Sequence, residues 1–407
     1  MKRPTYLIVG ASLAGVRAAE AMRQQGFDGR IVLVGAEREY PYHRPPLSKE
    51  FLSGNTFDVA ELPIQSPAFY READIELMLG VRAVAASARE RSIELDSGKV
   101  INFERLLIAT GSSARRLVVP GSDLGGVRYL RTLDDARGLR FALARAQQPV
   151  IVGAGLIALE VAAAARTAGK PVTVVEAGSV PMRRLLGSTA GDGIARLHRD
   201  HGVRFRFGTT IGRVLGQGFV QAVELSDGTR LPTDLLLVAI GVDAATGWLE
   251  GSGIRVDNGV VVDPSGATNV PYVFAAGDAA STYSALYGRH LRIEQYGNAH
   301  VQGALVGRNM SGASEVHAAI PSTSTDQFGV RIQFIGRAED ADQTIMRGSE
   351  HGRSFTLIYL KAGAARAALC VNRPRDFAAA RKLVTEGSRV DGEVLRNEDQ
   401  LLTDSIL

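Results

Sequence analysis

The sequence predicts an α/β protein with two Rossmann-like dinucleotide-binding domains and a C-terminal α+β domain. Three observations predict this fold. A Gly-rich strand-turn-helix segment begins near residue 6, a second one begins near residue 150, and strand-rich sequence takes over from about residue 315. Two such segments in one chain predict two nucleotide sites, and hence a relay of electrons between two cofactors.

The first Gly-rich segment follows an apolar run that starts at Tyr6. Gly10, Ser12 and Gly15 occupy its three turn positions, and Glu37 follows the next apolar run, 27 residues after Gly10. In this fingerprint the first glycine permits a tight turn, the second lets the backbone approach a pyrophosphate, and the third lets the helix pack closely on the strand. The later acid accepts hydrogen bonds from ribose hydroxyls. Ser12 stands where the second glycine is usual.

The second segment repeats this arrangement. Gly153 and Gly155 form the turn, Ala158 stands at the third position, and Glu176 follows 23 residues after Gly153. A carboxylate at this point favours NADH, since it accepts a ribose hydroxyl and repels a 2′-phosphate. Arg184 and its neighbour Arg183 leave the alternative open, because guanidinium groups bind phosphate well.

Three later strands end in glycine turns, where a backbone can approach a cofactor. These turns are Ala109-Thr110-Gly111, the turn at Gly241, and Gly277-Asp278. The third lies beyond the second nucleotide segment, so the chain is expected to return to the first domain and complete the first site. In flavoproteins with this order of motifs, the N-terminal motif binds FAD and the inserted one binds the pyridine nucleotide. By that resemblance the predicted domains are an FAD-binding domain (1–113 and 242–314), an NADH-binding domain (114–241) and a C-terminal interface domain (315–407).

Shorter elements are predicted between these landmarks. Residues 40–49 contain three prolines and are predicted to form a rigid loop that positions Arg44 and Lys49. Apolar or alternating runs predict strands at 75–79, 83–86, 92–95, 330–335 and 355–359, and a helix at 374–385.

Composition excludes several classes of function. The formal charge of +4, from 47 basic and 43 acidic residues, gives no case for nucleic-acid binding. Cys370 is the single cysteine, so the sequence cannot form an intramolecular disulfide, a redox dithiol or a four-cysteine metal site, and we expect this thiol to be buried. No apolar stretch reaches 18 residues and the first strand begins almost at once. We therefore expect a cytoplasmic protein with no membrane segment and no bound metal.

These motifs resemble the FAD-dependent NADH:ferredoxin reductases of oxygenase systems, the family of putidaredoxin reductase and biphenyl dioxygenase reductase, which has the glutathione reductase fold. The resemblance spans essentially the whole chain and includes Arg44-Pro-Pro-Leu-Ser-Lys49, the most specific segment. Further matching segments are Tyr129-Leu-Arg131-Thr, Arg292-Ile-Glu294-Gln-Tyr296-Gly-Asn-Ala, Asp326-Gln327 and Val371-Asn-Arg-Pro-Arg375.

The resemblance implies two sets of cofactor contacts. Those to FAD are Ala14, Glu37, Arg44, Lys49, Val81, Arg131, Asp278 and Tyr296, with Glu294 as a further candidate. Those to NADH are Gly153, Gly155, Ile157, Glu176 and Gly241. It also implies that Lys49 lies beside the reactive ring nitrogen of the flavin with Glu160 as its partner. In that role the cation stabilises the reduced ring and the carboxylate orients the lysine; the alternative is an ordinary salt bridge.

The implied reaction is hydride transfer from NADH to FAD, followed by single-electron transfer to a small iron-sulfur protein. That acceptor is expected to be a ferredoxin, or alternatively a rubredoxin, which feeds a monooxygenase such as a cytochrome P450 or a dioxygenase. The expected assembly is a monomer or a weak homodimer.

One segment departs from the family pattern. The aromatic-rich run Pro-Trp-Phe-Trp-Ser-Asp-Gln of the family reads Pro-Ser-Thr-Ser-Thr-Asp-Gln at 321–327. The electron acceptor is therefore left open. An NADH oxidase or quinone-type reductase is one alternative, and an apoptosis-inducing-factor-like flavoprotein that signals through a charge-transfer complex is another.

Overall fold

The computed structural model describes residues 3–53, 59–318, 320–349 and 353–407. The chain forms two compact units. The first unit comprises Met1–Arg44, Asp58–Ser113 and Val242–Pro321, and the second comprises Pro45–Phe57, Ala114–Gly241 and Ser322–Leu407. Each unit is therefore discontinuous in sequence.

The elements are numbered in chain order. Up to residue 114 they are β1 Thr5–Val9, α1 Leu13–Gln24, β2 Arg30–Gly35, α2 Glu50–Ser53, α3 Pro67–Glu72, β3 Ile75–Leu79, β4 Ala83–Ser87, β5 Ser92–Leu95, β6 Val100–Asn102, β7 Arg105–Ile108 and β8 Ser112–Ala114. Up to residue 238 they are β9 Val127–Arg128, α4 Leu133–Arg145, β10 Pro149–Val152, α5 Leu156–Thr167, β11 Thr173–Glu176, α6 Arg183–Asp200, β12 Arg204–Phe207, β13 Ile211–Gly216, β14 Val220–Leu225, β15 Arg230–Pro232 and β16 Leu235–Val238.

The remaining elements follow in the same order. They are β17 Val242–Ala244, β18 Val260–Val262, β19 Val273–Ala275, β20 Ala280–Ser284, β21 Arg289–Arg292, α7 Tyr296–Met310, β22 Ser322–Gln327, β23 Val330–Gly336, β24 Gln343–Ser349, β25 Ser354–Lys361, β26 Ala364–Val371, α8 Pro374–Glu386 and α9 Gly392–Arg396.

The first unit is built on a five-stranded sheet in the order β19-β7-β1-β2-β3, in which every pair is parallel. The side chains of β1 alternate between its two faces. Leu7 and Val9 pack with residues of the antiparallel sheet β4-β5-β6, whereas Ile8 packs with residues of α1 and α7. Because both faces of the sheet are covered by other elements, its strands consist of continuous apolar residues in the sequence.

Helices α1 and α7 of the first unit pack at very short distance. A Cβ atom added at Gly303 would lie 2.4 Å from the carbonyl oxygen of Ala14, and one added at Gly307 would lie 2.3 Å from that of Ala18. The two glycines lie one helical turn apart on the same face of α7. The lack of a side chain at these two positions lets α7 rest directly on the α1 backbone.

The second unit repeats the first sheet. Its strand order is β12-β11-β10-β16-β9, again with every pair parallel, and the antiparallel sheet β13-β14-β15 packs against one face. In both sheets the strand before the Gly-rich turn is central and the next strand lies beside it. The duplication seen in the sequence is thus also a duplication of topology, and the predicted α/β class is confirmed.

The C-terminal part of the second unit is an antiparallel sheet in the order β22-β23-β26-β25-β24, with α8 packed on it. The predicted strands at 330–335 and 355–359 and the predicted helix at 374–385 are confirmed as β23, β25 and α8. The sequence did not predict β22, β24 or β26. Polar residues such as those of Ser322-Thr-Ser-Thr-Asp-Gln327 carry no apolar alternation, and tertiary pairing decides their conformation.

Two smaller expectations were also tested. Cys370 is fully buried, as predicted, and burial raises the pKa of its thiol to about 12. The proline-rich loop is not wholly irregular, because Pro45–Ser48 form a 3-10 turn; proline is tolerated in a first helical turn.

Among the helices of the described residues, none is both long enough and apolar enough to cross a membrane.

Candidate functional site

The first Gly-rich turn lies against the end of β7. Gly10 has a φ of +126°, and a Cβ atom there would lie 2.0 Å from the carbonyl oxygen of Ala109. At Gly15 a Cβ atom would lie 2.1 Å from the carbonyl oxygen of Gly10. Both glycines are therefore required by close approach of the backbone. Ser12 is the N-cap of α1 but makes no capping hydrogen bond with its side chain, which leaves first-turn amides available to an anion.

Glu37 lies just beyond β2 and binds two neighbouring side chains. Its Oε1 accepts a hydrogen bond from Arg44 Nη2 at 2.5 Å, and its Oε2 accepts one from the Tyr42 hydroxyl at 2.5 Å. Burial disfavours the charge on Arg44, but Tyr42 and Glu37 outweigh it and raise the pKa of the guanidinium. The proline-rich loop thus brings Arg44 to the acid of the first nucleotide motif. Val81 lies just beyond the neighbouring strand β3, and its amide donates to the carbonyl of Gly35 at the end of β2.

The strand-end turns of the first unit meet near one another. Asp278 accepts a hydrogen bond from the Ser112 hydroxyl at 2.9 Å, and the Gly277 amide donates to Gln302 at 2.9 Å. Ala109 continues the pairing of β7 with β1, the Thr110 hydroxyl donates to the carbonyl of Ala245, and Gly111 has a positive φ. The two later segments therefore end at the carboxyl edge of the sheet that carries the first Gly-rich turn.

Two further candidates lie at the start of α7. The Tyr296 hydroxyl lies 2.7 Å from His43 Nδ1, and the ring is 43% exposed. Burial raises the pKa of this phenol and lowers that of His43. Glu294 pairs with Arg292 at 2.7 Å. Of these, Tyr296 presents an aromatic face that a flat ring can contact.

The second Gly-rich turn has the same construction with more open space. Gly153 has a φ of +97°, and a Cβ atom there would lie 2.3 Å from the carbonyl oxygen of Ala239. Gly155 is exposed, is the N-cap of α5, and has no atom within 4 Å of a built Cβ position. Ala158 is fully buried, whereas Ile157 is only partly buried. A phosphate can therefore approach the backbone at Gly155 while Ala158 packs the helix on the sheet.

Glu176 closes β11 and holds the second turn. Its Oε2 accepts a hydrogen bond from the Ala154 amide at 2.7 Å, and its Oε1 accepts one from the Gly178 amide at 2.7 Å. Both oxygens keep a further lone pair for a ribose hydroxyl. The Met182 amide donates to the carbonyl of Ala154, so the first turn of α6, with exposed Arg183 and Arg184, begins beside the same Gly-rich turn.

Two remaining candidates lie elsewhere in the second unit. Gly241 has a φ of +105°, and its carbonyl accepts a hydrogen bond from the Arg115 amide at 3.0 Å. Arg131 precedes α4, where its amide donates to Asp135 at 3.1 Å.

Lys49 and Glu160 form an ion pair within the second unit. Lys49 falls within residues 1–113, the range predicted to bind FAD, most of which lies in the first unit. Lys49 Nζ lies 3.4 Å from Glu160 Oε1. Glu160 lies one turn into α5 and is 6% exposed. The 3-10 turn Pro45–Ser48 and helix α2 pack against α5 and carry the lysine to this unit. The predicted partnership of these two residues is thus present as a contact.

Two other residues bind the Glu160 carboxylate and were not predicted. The Ser48 hydroxyl donates to Oε2 at 2.5 Å, and the Thr325 hydroxyl donates to Oε1 at 2.7 Å. Ser48 stands next to Lys49 in the segment 44–49 that resembles the family, so the sequence could have indicated that Ser48 also contacts Glu160. Thr325 lies in a polar strand far along the sequence, and only the tertiary structure brings it to α5.

Metal chemistry gains no support from the residues that the structure describes. Among them, no group of three or more His, Cys, Asp or Glu side chains is arranged to hold a metal ion.

Comparison with known proteins connects this geometry to a family. The family model described as pyridine nucleotide-disulphide oxidoreductase matches residues 4–303, and the one described as reductase C-terminal matches residues 325–406. The chain is 38% identical over 402 residues to the biphenyl dioxygenase system ferredoxin–NAD(+) reductase component of Paraburkholderia xenovorans (strain LB400), and the match covers 98% of each chain.

Two solved structures have the same fold. The ferredoxin reductase for the CYP199A2 system from Rhodopseudomonas palustris matches with a TM-score of 0.95 and 33% identity, over 99% of this chain and 100% of that one. A chain of the covalent putidaredoxin reductase–putidaredoxin complex matches with a TM-score of 0.94 and 33% identity, over 98% and 97%. The chain belongs to the pyridine nucleotide-disulphide oxidoreductase family and, within it, to the ferredoxin–NAD(+) reductases of oxygenase systems, oxidoreductases that use FAD and NAD(H).

Proposed function

We propose that this protein takes a hydride from NADH and delivers single electrons to a small ferredoxin-type iron-sulfur protein that feeds a monooxygenase or dioxygenase. When bound, FAD supplies the conversion from two-electron to one-electron transfer. One observation carries the choice of an external acceptor. The single thiol, Cys370, is buried in the C-terminal sheet, so electrons cannot leave through a dithiol of this chain.

Residues of the first unit fit the FAD nucleotide. The Gly10 turn and the amides at the start of α1 suit a pyrophosphate, and Glu37 suits ribose hydroxyls. The other proposed FAD contacts are Ser12, Ala14, Gly15, Arg44, Val81, Ala109, Thr110, Gly111, Gly277, Asp278, Glu294 and Tyr296. Lys49 and Arg131 are further proposed FAD contacts.

Residues of the second unit fit NADH. The open backbone at Gly155 suits the pyrophosphate, and Glu176 retains acceptor capacity for the ribose. Gly153, Ile157 and Gly241 complete the proposed contacts. Arg184 is exposed in the first turn of α6, and the amide of Met182, just before that helix, donates to the carbonyl of Ala154 in the Gly-rich turn. We propose that Arg184 can receive a 2′-phosphate there, so that the preference for NADH is not absolute.

Lys49 and Glu160 are the proposed catalytic pair. The cation stabilises negative charge that develops on the flavin during reduction, and the buried carboxylate orients it. Three donors around one carboxylate also explain why a buried charge is tolerated here.

The domain roles and the cellular setting are proposals of the same kind. We propose FAD binding by 1–113 and 242–314, NADH binding by 114–241, and partner contacts by 315–407. Residues 1–2, 54–58, 319 and 350–352 of these ranges lie outside the described residues. We also propose a cytoplasmic location, where NADH is supplied, and a monomer or weak homodimer; a rubredoxin is the alternative acceptor.

The test is a titration of acceptors into the NADH-reduced protein. The reduced flavin should be reoxidised rapidly by a [2Fe–2S] ferredoxin of an oxygenase system and slowly by oxygen or a quinone. Equal rates with oxygen or quinone alone would instead support an oxidase or quinone reductase, which the polar residues at 322–324 make worth testing. Negligible turnover with a persistent charge-transfer band would support a signalling flavoprotein.

A further inference from the structure

A chain of buried polar side chains in the second unit leads from α6 to the proposed catalytic pair. His198 Nε2 lies 2.7 Å from Gln327 Oε1, Gln327 Nε2 donates to Thr325 Oγ1 at 3.3 Å, and Thr325 Oγ1 donates to Glu160 Oε1 at 2.7 Å. His198 is fully buried, Thr325 and Gln327 are each 2% exposed, and Glu160 is 6% exposed. Burying a polar group costs free energy unless the group forms hydrogen bonds. Four buried polar side chains in one hydrogen-bonded series therefore need an explanation.

The strand geometry of β22 explains how the chain is assembled. Thr325 and Gln327 are two residues apart and lie on one buried face, while Asp326 between them is exposed. Strand β22 packs against α5, which carries Glu160, and β22 pairs with β23. The buried face of this strand therefore supplies two of the hydrogen-bonding side chains, Thr325 and Gln327, while the opposite face is exposed at Asp326.

The hydrogen bonds all point toward the carboxylate. An amide oxygen only accepts, so His198 donates from Nε2 to Gln327. The Gln327 amide nitrogen donates to the threonine oxygen, which leaves the single hydroxyl proton of Thr325 for Glu160. Burial lowers the pKa of His198 to about 4, so at neutral pH the ring is neutral with its proton on Nε2. The donor direction of the whole chain is thus fixed.

Thr325 and Lys49 share one oxygen of Glu160. The hydroxyl is 2.7 Å from Oε1, whereas the Lys49 ammonium is 3.4 Å from it. Charge-assisted N–H···O contacts are usually about 2.7–2.9 Å long, so the ion pair here is looser than a direct one. The shorter contact belongs to the neutral hydroxyl, which takes up part of the acceptor capacity of that oxygen.

We propose that Thr325, supported by Gln327 and His198, is a positioning residue that holds Glu160 and keeps Lys49 in a loose ion pair, with its positive charge available beside the flavin. This inference rests on the proposed role of Lys49 in flavin reduction. Without the hydroxyl, Lys49 is expected to close onto Oε1, because the residues that the structure describes supply no other hydrogen bond to that atom. The positive charge of Lys49 would then be neutralised by the Glu160 carboxylate and would stabilise the reduced flavin less.

The test compares Thr325→Val, which keeps the shape, with Thr325→Ser, which keeps the hydroxyl. Two readouts are measured on the FAD-bound protein: the limiting rate of flavin reduction at saturating NADH and the midpoint potential of the flavin. T325V should slow reduction about tenfold and lower the potential, since one hydrogen bond to a buried charge is lost. T325S should stay within about twofold of the wild type.

Thr356→Val is the matched control. Thr356 is a fully buried threonine of β25, and its hydroxyl donates to Asp376 at 2.9 Å, away from Glu160. T356V should lower stability while leaving the rate and the potential unchanged. A T325V protein with wild-type rate and potential, or T325V and T325S proteins that are equally slow, would overturn the inference.

Two further variants keep the result decisive. Gln327→Met removes support for the Thr325 hydroxyl without altering residue 325, and should slow reduction in the same direction by about threefold. If T325V does not retain FAD, a wild-type rate in Q327M overturns the inference. Lys49→Ala separates it from the proposed function. If K49A reduces normally, the role of Lys49 is wrong; if K49A is slow and T325V is not, only the positioning role is wrong.

Discussion

The ammonium group of Lys49 lies 3.4 Å from the carboxylate of Glu160, one turn into the helix that follows the second Gly-rich turn. A proline-rich loop holds one partner and a nucleotide-binding motif holds the other. Helix α5 thus carries residues of two kinds: its N-terminus faces outward at exposed Gly155, and its first turns bury Glu160. The proposed nucleotide site and the ion pair are therefore linked through one helix.

Replacing Lys49 by Ala is expected to slow flavin reduction by NADH about tenfold to a hundredfold while FAD remains bound. The reason is loss of a cation that stabilises developing negative charge. Stopped-flow absorbance at saturating NADH measures the rate. Lys99→Ala, which removes an exposed lysine from the turn between β5 and β6, is the matched control and should behave as wild type. A wild-type rate in K49A would contradict the proposed role.

Replacing Glu176 by Ala is expected to raise the KM for NADH about tenfold, because a ribose acceptor is lost and two backbone amides of the turn lose their partner. Selectivity against NADPH should relax in the same variant. Steady-state kinetics with both nucleotides provide the measurement. Unchanged selectivity would show that Glu176 supports the turn alone.

Replacing Arg184 by Ala separates the two nucleotides in the opposite sense. Activity with NADPH should fall, since a guanidinium able to receive the 2′-phosphate is removed, whereas the KM for NADH should change less than about twofold. The ratio of kcat/KM for the two nucleotides is the measurement. An equal loss with both nucleotides would argue against this role for Arg184.

Replacing Gly303 by Ala is expected to lower the free energy of unfolding by about 2 kcal/mol, because the added methyl group meets the backbone of Ala14 at 2.4 Å. FAD retention should fall as well, since α1 carries proposed FAD contacts. Gly138→Ala in α4 is the matched control: no atom lies within 4 Å of its Cβ position. That variant should gain about 0.5–1 kcal/mol, the usual helix benefit. Equal stabilities of the two variants would contradict the packing argument.

His198 is expected to make stability fall with acid. Its pKa is lowered by burial from 6.5 to about 4, so below pH 6.5 the unfolded chain binds a proton that the folded protein does not. Stability from this residue is complete above pH 6.5 and declines down to about pH 4, by about 3 kcal/mol in all. Urea unfolding of the wild type and His198→Gln at pH 7 and pH 4.5 measures this. Equal pH dependence in both proteins would refute it.

Much of the site was predictable because nucleotide motifs are local. The tight turns at Gly10 and Gly153 follow from local residue type and spacing. The structure gives both glycines a positive φ and a carbonyl oxygen within 2.3 Å of a built Cβ position. The pairing of Lys49 with Glu160 was predicted through family resemblance. Polar strand β22 was not predicted, because its conformation depends on pairing with β23 rather than on its own residues.

The sequence by itself determined the duplicated α/β architecture, the lack of a dithiol and the positions of the two Gly-rich turns, because each depends on residue type and short spacing. Only the tertiary structure decided which polar groups surround Glu160. Ser48 and Lys49 come from one loop and Thr325 from a strand far along the sequence. They meet on one carboxylate, and His198 joins them through Gln327. Such convergence depends on how α5, α6 and β22 pack, and side-chain packing over long sequence distances leaves no periodic signal in the chain.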